Sequence, residues 1–216
     1  MRAADAIRWF RQDAFDTERP HLWSDDEALR YLADARAAFV ADIGGIMETG
    51  GDLGALPVYK GEARVPISPL VKKILRAQLD GERAPLALRH ISHLSHIPQD
   101  RSPPGTPRFL ITGADTGAIR LSPTPDKDYG LTLALRRLPL FPIRELDDEV
   151  AEVEEAHIPA LIAHMKQQAY SRPDADGYDP NRARTAQVEY HEQMLAARAA
   201  RERLNWRPAR VAYGGL

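Results

Sequence analysis

Cysteine is absent from the 216 residues. That excludes disulfides, thiolate nucleophiles and cysteine metal sites. No apolar run approaches the roughly 20 residues that a membrane-spanning helix needs, so no membrane partner is expected. An excess of one charge is lacking too: 29 Lys and Arg stand against 31 Asp and Glu, a net −2. Such a chain has no general electrostatic grip on nucleic acid, and any contact with it is local or repulsive. Asp5 and Asp13 interrupt what would be the apolar region of an export signal, so none is expected. Also missing are a glycine-rich phosphate loop with its Lys-Ser/Thr, a G-x-S-x-G elbow and a dinucleotide fingerprint. No cofactor is expected.

What is present is the composition of a globular chain, 44% hydrophobic and 28% charged. Its length suits one domain, or a domain with a sizeable insertion. The stretch from Trp23 to Met47 reads as a long amphipathic helix. Ser24 and Glu27 have the spacing of a capping box, and Asp25 and Asp26 place negative charge at the positive end of the helix dipole. Ala28, Leu32, Ala35, Phe39, Ile43 and Ile46 then form one apolar stripe. Its expected partner is at the far end, where Asp179-Pro180 starts a helix with Ala183, Ala186, Tyr190, Met194, Ala197, Ala200 and Leu204 on one face. Leu32, Phe39, Tyr190 and Met194 are expected to share a core. Two shorter helices are expected, over 4–15 with Ile7, Phe10 and Phe15 near one face, and from Ile158 to Ala169. Trp23 is expected to pack in the core between the two N-terminal helices.

Between these helices the texture changes. Residues 48–64, with Gly50, Gly51, Gly54 and Gly61, read as loop. Strands are expected at 70–79, 86–88, 108–112, 118–121 and 131–138. Asp80-Gly81 is a hairpin signal, and Pro123 and Pro125 mark a connection. The expected fold class is α+β. It is mainly a bundle of four helices (1–47 and 156–204), with a small antiparallel β insertion (65–140) between helices 2 and 3. A C-terminal tail (205–216) follows.

Candidate chemistry is sparse. His90, His93 and His96 form HxxHxxH, but neither helical nor extended spacing makes three such side chains converge on one ion, so they read as polar residues of a surface turn. His191-Glu192 opens like a zincin helix, yet Leu195 stands where the second ligand belongs. Residues 174–177 suggest a calcium loop, but Arg172 and Ala183 fall where its carboxylates should be; Asp179 as a helix cap explains the stretch. The acidic run 145–155 holds Glu145, Asp147, Asp148, Glu149, Glu152, Glu154 and Glu155. It reads as a solvated face rather than a catalytic set. No catalytic or metal residue is assigned. A small hydrolase using paired carboxylates or the histidines remains the rival reading from another class.

One resemblance spans residues 23 to about 204. It is carried by the order of the helix start at 23–35, Leu79-Asp80-Gly81, Gly105-Thr106-Pro107-Arg108-Phe109 and the turn at 121–125. Ile158-Pro159, a helix bearing His164, the loop 174–179 and a long last helix with Tyr190 complete it. In this order the chain resembles the head-to-tail connector, or adaptor, proteins of tailed bacteriophages. The loop at 48–64 and the acidic run are enlarged by comparison.

The resemblance implies a structural virion protein of the neck, made in the host cytoplasm. It would form a ring with copies of itself, commonly twelve, that joins the portal protein to the next neck or tail component. Double-stranded DNA would pass through without specific binding, which suits the net negative charge. Another neck ring, such as a stopper, is the neighbouring alternative. The tail would reach the portal: alone it should be disordered, yet Trp206, Arg207, Arg210 and Tyr213 are residue types that anchor interfaces. The acidic run is expected at the lumen or a subunit edge, since seven carboxylates would be costly in a dry core.

Overall fold

The computed structural model describes residues 1–94, 103–173 and 176–204. The chain divides into two compact units, one of residues 1–43 with 141–216, the other of 44–140.

The first unit is helical: α1 (Ala3–Ala14), α2 (Asp25–Asp42), α4 (Ile158–Tyr170) and α5 (Pro180–Leu204). The capping box forms as read. Glu27 N–H donates to Ser24 Oγ at 3.3 Å, and Ser24 N–H to Glu27 Oε2 at 3.1 Å. The helix is shorter than its apolar stripe. Gly44 and Gly45 both take positive φ, 89° and 86°, a conformation that ends a right-handed helix and is open to glycine at little cost. Ile46 therefore belongs to a strand.

Trp23 is buried, with ring centroids 5.5 Å from both Phe10 of α1 and Tyr170 of α4. Gly177 lies so close to it that an added Cβ would fall 2.6 Å from the indole. The partner of α2 differs from expectation. α4 packs against α2 on one side and α5 on the other. Leu32, Phe39 and Tyr190 do share one core, while Met194 is buried outside that cluster. Phe15 also departs from its expected apolar face. It ends α1 in a left-handed conformation, φ 59°, and is 85% exposed.

The second unit corrects the expected fold class. The chain is a mixed protein, not a four-helix bundle with a small antiparallel insertion. The described residues contain five α-helices, counting the single turn α3 (Gly51–Gly54), and eight strands in two four-stranded sheets. β8 (Tyr129–Arg137) is central to the first sheet. β4 (Val71–Leu79) pairs along one side of it. β1 (Ile46–Thr49) and β2 (Ala55–Val58) follow one another along the other side. The supposed loop at 48–64 thus supplies two strands and α3. Gly54 permits the approach, since a Cβ there would meet the Leu133 carbonyl at 2.8 Å.

The second sheet runs β3 (Arg64–Pro66), β7 (Ala118–Ser122), β6 (Phe109–Asp115), β5 (Ala87–His90). β5 does not close a hairpin at Asp80-Gly81. It pairs with β6, and in parallel, so the unit is not purely antiparallel. Tyr129, Leu131, Leu133 and Leu135 alternate inward along β8 and meet Leu110, Ile119 and Leu121 of the second sheet in one core. This is the period-2 pattern of a sheet with one buried face.

Candidate functional site

The acidic run is held by backbone rather than by a regular element. Asp148 accepts hydrogen bonds from the backbone N–H groups of Arg144 (2.7 Å) and Glu145 (2.9 Å). Those bonds hold its carboxyl below the usual range, because they favour the charged form. The carbonyls of Asp148 and Leu146 accept from Ala3 N–H (2.8 Å) and Ala4 N–H (2.9 Å). The run thereby satisfies first-turn donors of α1 that have no partner inside the helix. Ile143 and Val150 anchor it in the helical core.

Arg36 of α2 lies beneath the run, 4% exposed. Its Nη2 donates to the Phe141 carbonyl, while Nε and Nη1 find no hydrogen-bond partner. Burial lowers its pKa, and the charges of Glu152 and Asp148 oppose that shift. The seven carboxylates are accordingly not equivalent. Asp148 and Glu152 are half-buried, and Asp147 meets Arg2 at 3.2 Å on the surface. Glu145, Glu149, Glu154 and Glu155 are exposed. Sequence reading found the run but missed Arg36, which looks like one more charge on a helix.

The other candidates are scattered. His90 ends β5, and its Nδ1 accepts from Ser92 N–H at 3.2 Å, capping a short 3-10 turn. Its ring lies 6.3 Å from that of His93; His96 falls outside the described residues. Both His191 and Glu192 are exposed on α5. Asp179 caps that helix, accepting from Asn181 N–H and Arg182 N–H at 3.0 Å each. Asp174 falls outside the described residues, as do the tail residues Trp206, Arg207, Arg210 and Tyr213. Among the described residues no group of three or more His, Asp or Glu is placed to hold a metal ion. No described helix is long and apolar enough to cross a membrane.

Two features of the helical unit had no signal in the sequence. One is a buried ion cluster: Arg11 donates to Asp16 (2.5 Å) and to Asp25 (2.7 Å), and Leu22 N–H donates to Asp16 Oδ1 (2.6 Å). It pins the connection between α1 and α2. The other is a groove of about 430 Å³ between α1, α4 and α5, bordered by Trp9, Ile162 and Gln193. Lys166 crosses it to Glu189 at 2.9 Å.

Large side chains facing solvent include Phe15, Phe141, Tyr59 and Val188. A family model for the SU10 adaptor protein matches residues 1–212. The chain therefore belongs to the SU10 adaptor protein family, and the resemblance to phage adaptors is borne out. No curated protein matches the chain.

Proposed function

We propose that this phage adaptor protein assembles with copies of itself into a ring that joins the portal to the tail and lines the DNA passage. Its role is structural rather than catalytic, and its place is the neck of the virion. The family match over residues 1–212 carries the reading. Twelve copies fit what such adaptors commonly form. The tail residues Trp206, Arg207, Arg210 and Tyr213 dock on the portal, and the acidic run occupies the lumen or a subunit edge. DNA passes without specific binding because a chain of net −2 offers phosphates no general attraction.

An image of the particle neck tests this reading. A ring of this chain directly beneath the portal is the expected result; its absence there, or a monomer on the outside of the particle, would overturn it.

A further inference from the structure

Charge is divided unevenly along the chain. Residues 44–140 hold 13 Lys and Arg against 9 Asp and Glu, and the remainder holds 16 against 22. The net −2 is thus the sum of a β unit at +4 and a helical unit at −6.

In the β unit the positive charge gathers on the outer face of the first sheet. Residues of β8 alternate, so Thr132, Ala134 and Arg136 face away from the core that Leu131, Leu133 and Leu135 enter. Lys73 of β4 stands in register with Arg136, and Arg76 with Ala134. Two register shifts in β4, between Val71 and Lys73 and between Ile74 and Arg76, accompany the exposure of the neighbours Lys72 and Lys73 alike. Among the described residues, Lys72, Lys73, Arg76 and Arg136 make no ion pair; Arg76 reaches only Gln78, and Arg136 the Gly44 carbonyl. Ala134, Thr132 and Thr49 are small residues of the same face, and the half-exposed Met47 stands opposite Arg136. Lys72, Lys73 and Arg76 are exposed on that face, while Arg136 is half-buried behind them.

The helical unit offers the complement. Glu145, Glu149, Glu154 and Glu155 are exposed carboxylates with no ion pair among the described residues. The hydrogen bonds to α1 described above fix the backbone around Glu145 and Glu149, and the 3-10 turn Glu155–His157, in which His157 N–H donates to the Glu154 carbonyl (2.9 Å), orders Glu154 and Glu155, so the charges are presented on ordered backbone. Little ordering entropy would be lost when a partner binds it.

We propose that the basic sheet face of one copy takes the acidic ridge of a second copy, joining copies head to tail. The inference rests on the ring reading above and names the contact that would build the ring. Each copy carries both halves, and a contact between two different patches repeats from copy to copy, making a ring where the rotation between copies closes. Pairing like patch with like patch would set carboxylates against carboxylates, so the charges select this orientation and speed the encounter. Duplex DNA is the weaker occupant. Four cations on a chain of net negative charge give little counterion release.

The test uses the full-length protein, with its mass measured in solution at low and high salt. One variant combines Lys73→Glu and Arg76→Glu; the other combines Glu149→Lys and Glu154→Lys. All four positions are exposed, and circular dichroism with a thermal melt checks that each variant folds. The expected result is assembly of the wild type that weakens as salt shortens the reach of charges, to about 3 Å at 1 M. Each reversal alone should weaken assembly by at least about tenfold, the order expected of complementary interface charges. Mixing the two variants should restore assembly, because each then supplies the sign the other lacks. An assembled wild type whose size neither reversal changes would overturn the inference and leave the ring reading standing. A wild type that stays monomeric at every salt would also overturn it, while the ring reading would still be judged by the particle image. Binding of a duplex oligonucleotide that Lys73→Glu with Arg76→Glu abolishes, with oligomer size unaltered, would reassign the face to nucleic acid and overturn the copy-to-copy contact.

Discussion

The phenol of Tyr190 donates a 2.6 Å hydrogen bond to Oδ2 of Asp42. It ties the middle of α5 to the last residue of α2. Two further side chains of α5 reach the same end: Arg198 Nε donates to the Asp42 carbonyl (2.6 Å), and Arg201 Nη1 to the Ile43 carbonyl (3.0 Å). Carbonyls left over at a helix C-terminus are satisfied here by cations that also suit its dipole. Burial and Asp42 together push the Tyr190 pKa up, so the phenol keeps its proton and donates it. Tyr190→Phe should cost the helical unit about 1–2 kcal/mol, because the carboxylate loses a donor while remaining half-buried. Denaturant titration measures this, and a change within error would show that water replaces the phenol at no cost.

Phe39 is fully buried on α2, in the core it shares with Leu32 and Tyr190. Phe39→Ala should destabilise by about 3–5 kcal/mol, from lost transfer energy and the cavity left behind. A loss below about 1 kcal/mol in the same titration would mean that neighbouring side chains collapse into the space.

Acid should weaken the helical unit through His164. Burial holds its pKa below the ordinary 6.5, against the opposing charges of Asp42 and Asp34. Gln168 contacts its Nδ1 at 2.8 Å, and the Tyr190 ring lies edge-on at 4.8 Å. The folded state prefers the neutral ring, so the unfolded chain binds the proton more readily. The stability is complete above 6.5 and is lost as pH falls below that value through the depressed folded one. The melting temperature should therefore hold above about pH 6.5 and drop as the pH falls below it. His164→Gln should narrow that drop. An undiminished drop in the variant would assign the acid sensitivity to another group.

Portal docking is tested by deleting residues 205–216. The helical signal and the melting midpoint should stay nearly unchanged while attachment to portal rings is lost, since aromatic and arginine anchors dominate interface energies. A truncated chain that still caps portal rings with similar affinity would remove the tail from the docking contact.

The sequence by itself determined the features that depend on a few neighbouring residues. Ser24 and Glu27 are three apart, so their reciprocal bonds form wherever that helix goes. Asp179 caps α5 with its own backbone neighbours, and the alternation from Tyr129 to Arg137 marks a strand with one buried face. Tertiary structure decided what depends on distant partners. Residues 46 and 47 continue the apolar stripe of α2, and 55–58 lie in a stretch punctuated by Gly50, Gly51, Gly54 and Gly61, yet 46–49 and 55–58 become strands because β8, far along the chain, supplies their ladder hydrogen bonds. The segment 86–88 folds back on β4 only at Leu86, whose N–H donates to the Ala77 carbonyl (2.9 Å), and from Ala87 it lies parallel to β6. α4 rather than α5 seats on α2, and no periodicity distinguishes two amphipathic helices competing for one apolar face. Arg36 becomes a buried counter-charge only because the acidic run, more than a hundred residues away, closes over it. Capping and periodicity are local energies that a sequence carries with it, whereas pairing and burial exist only once the chain has brought remote residues together.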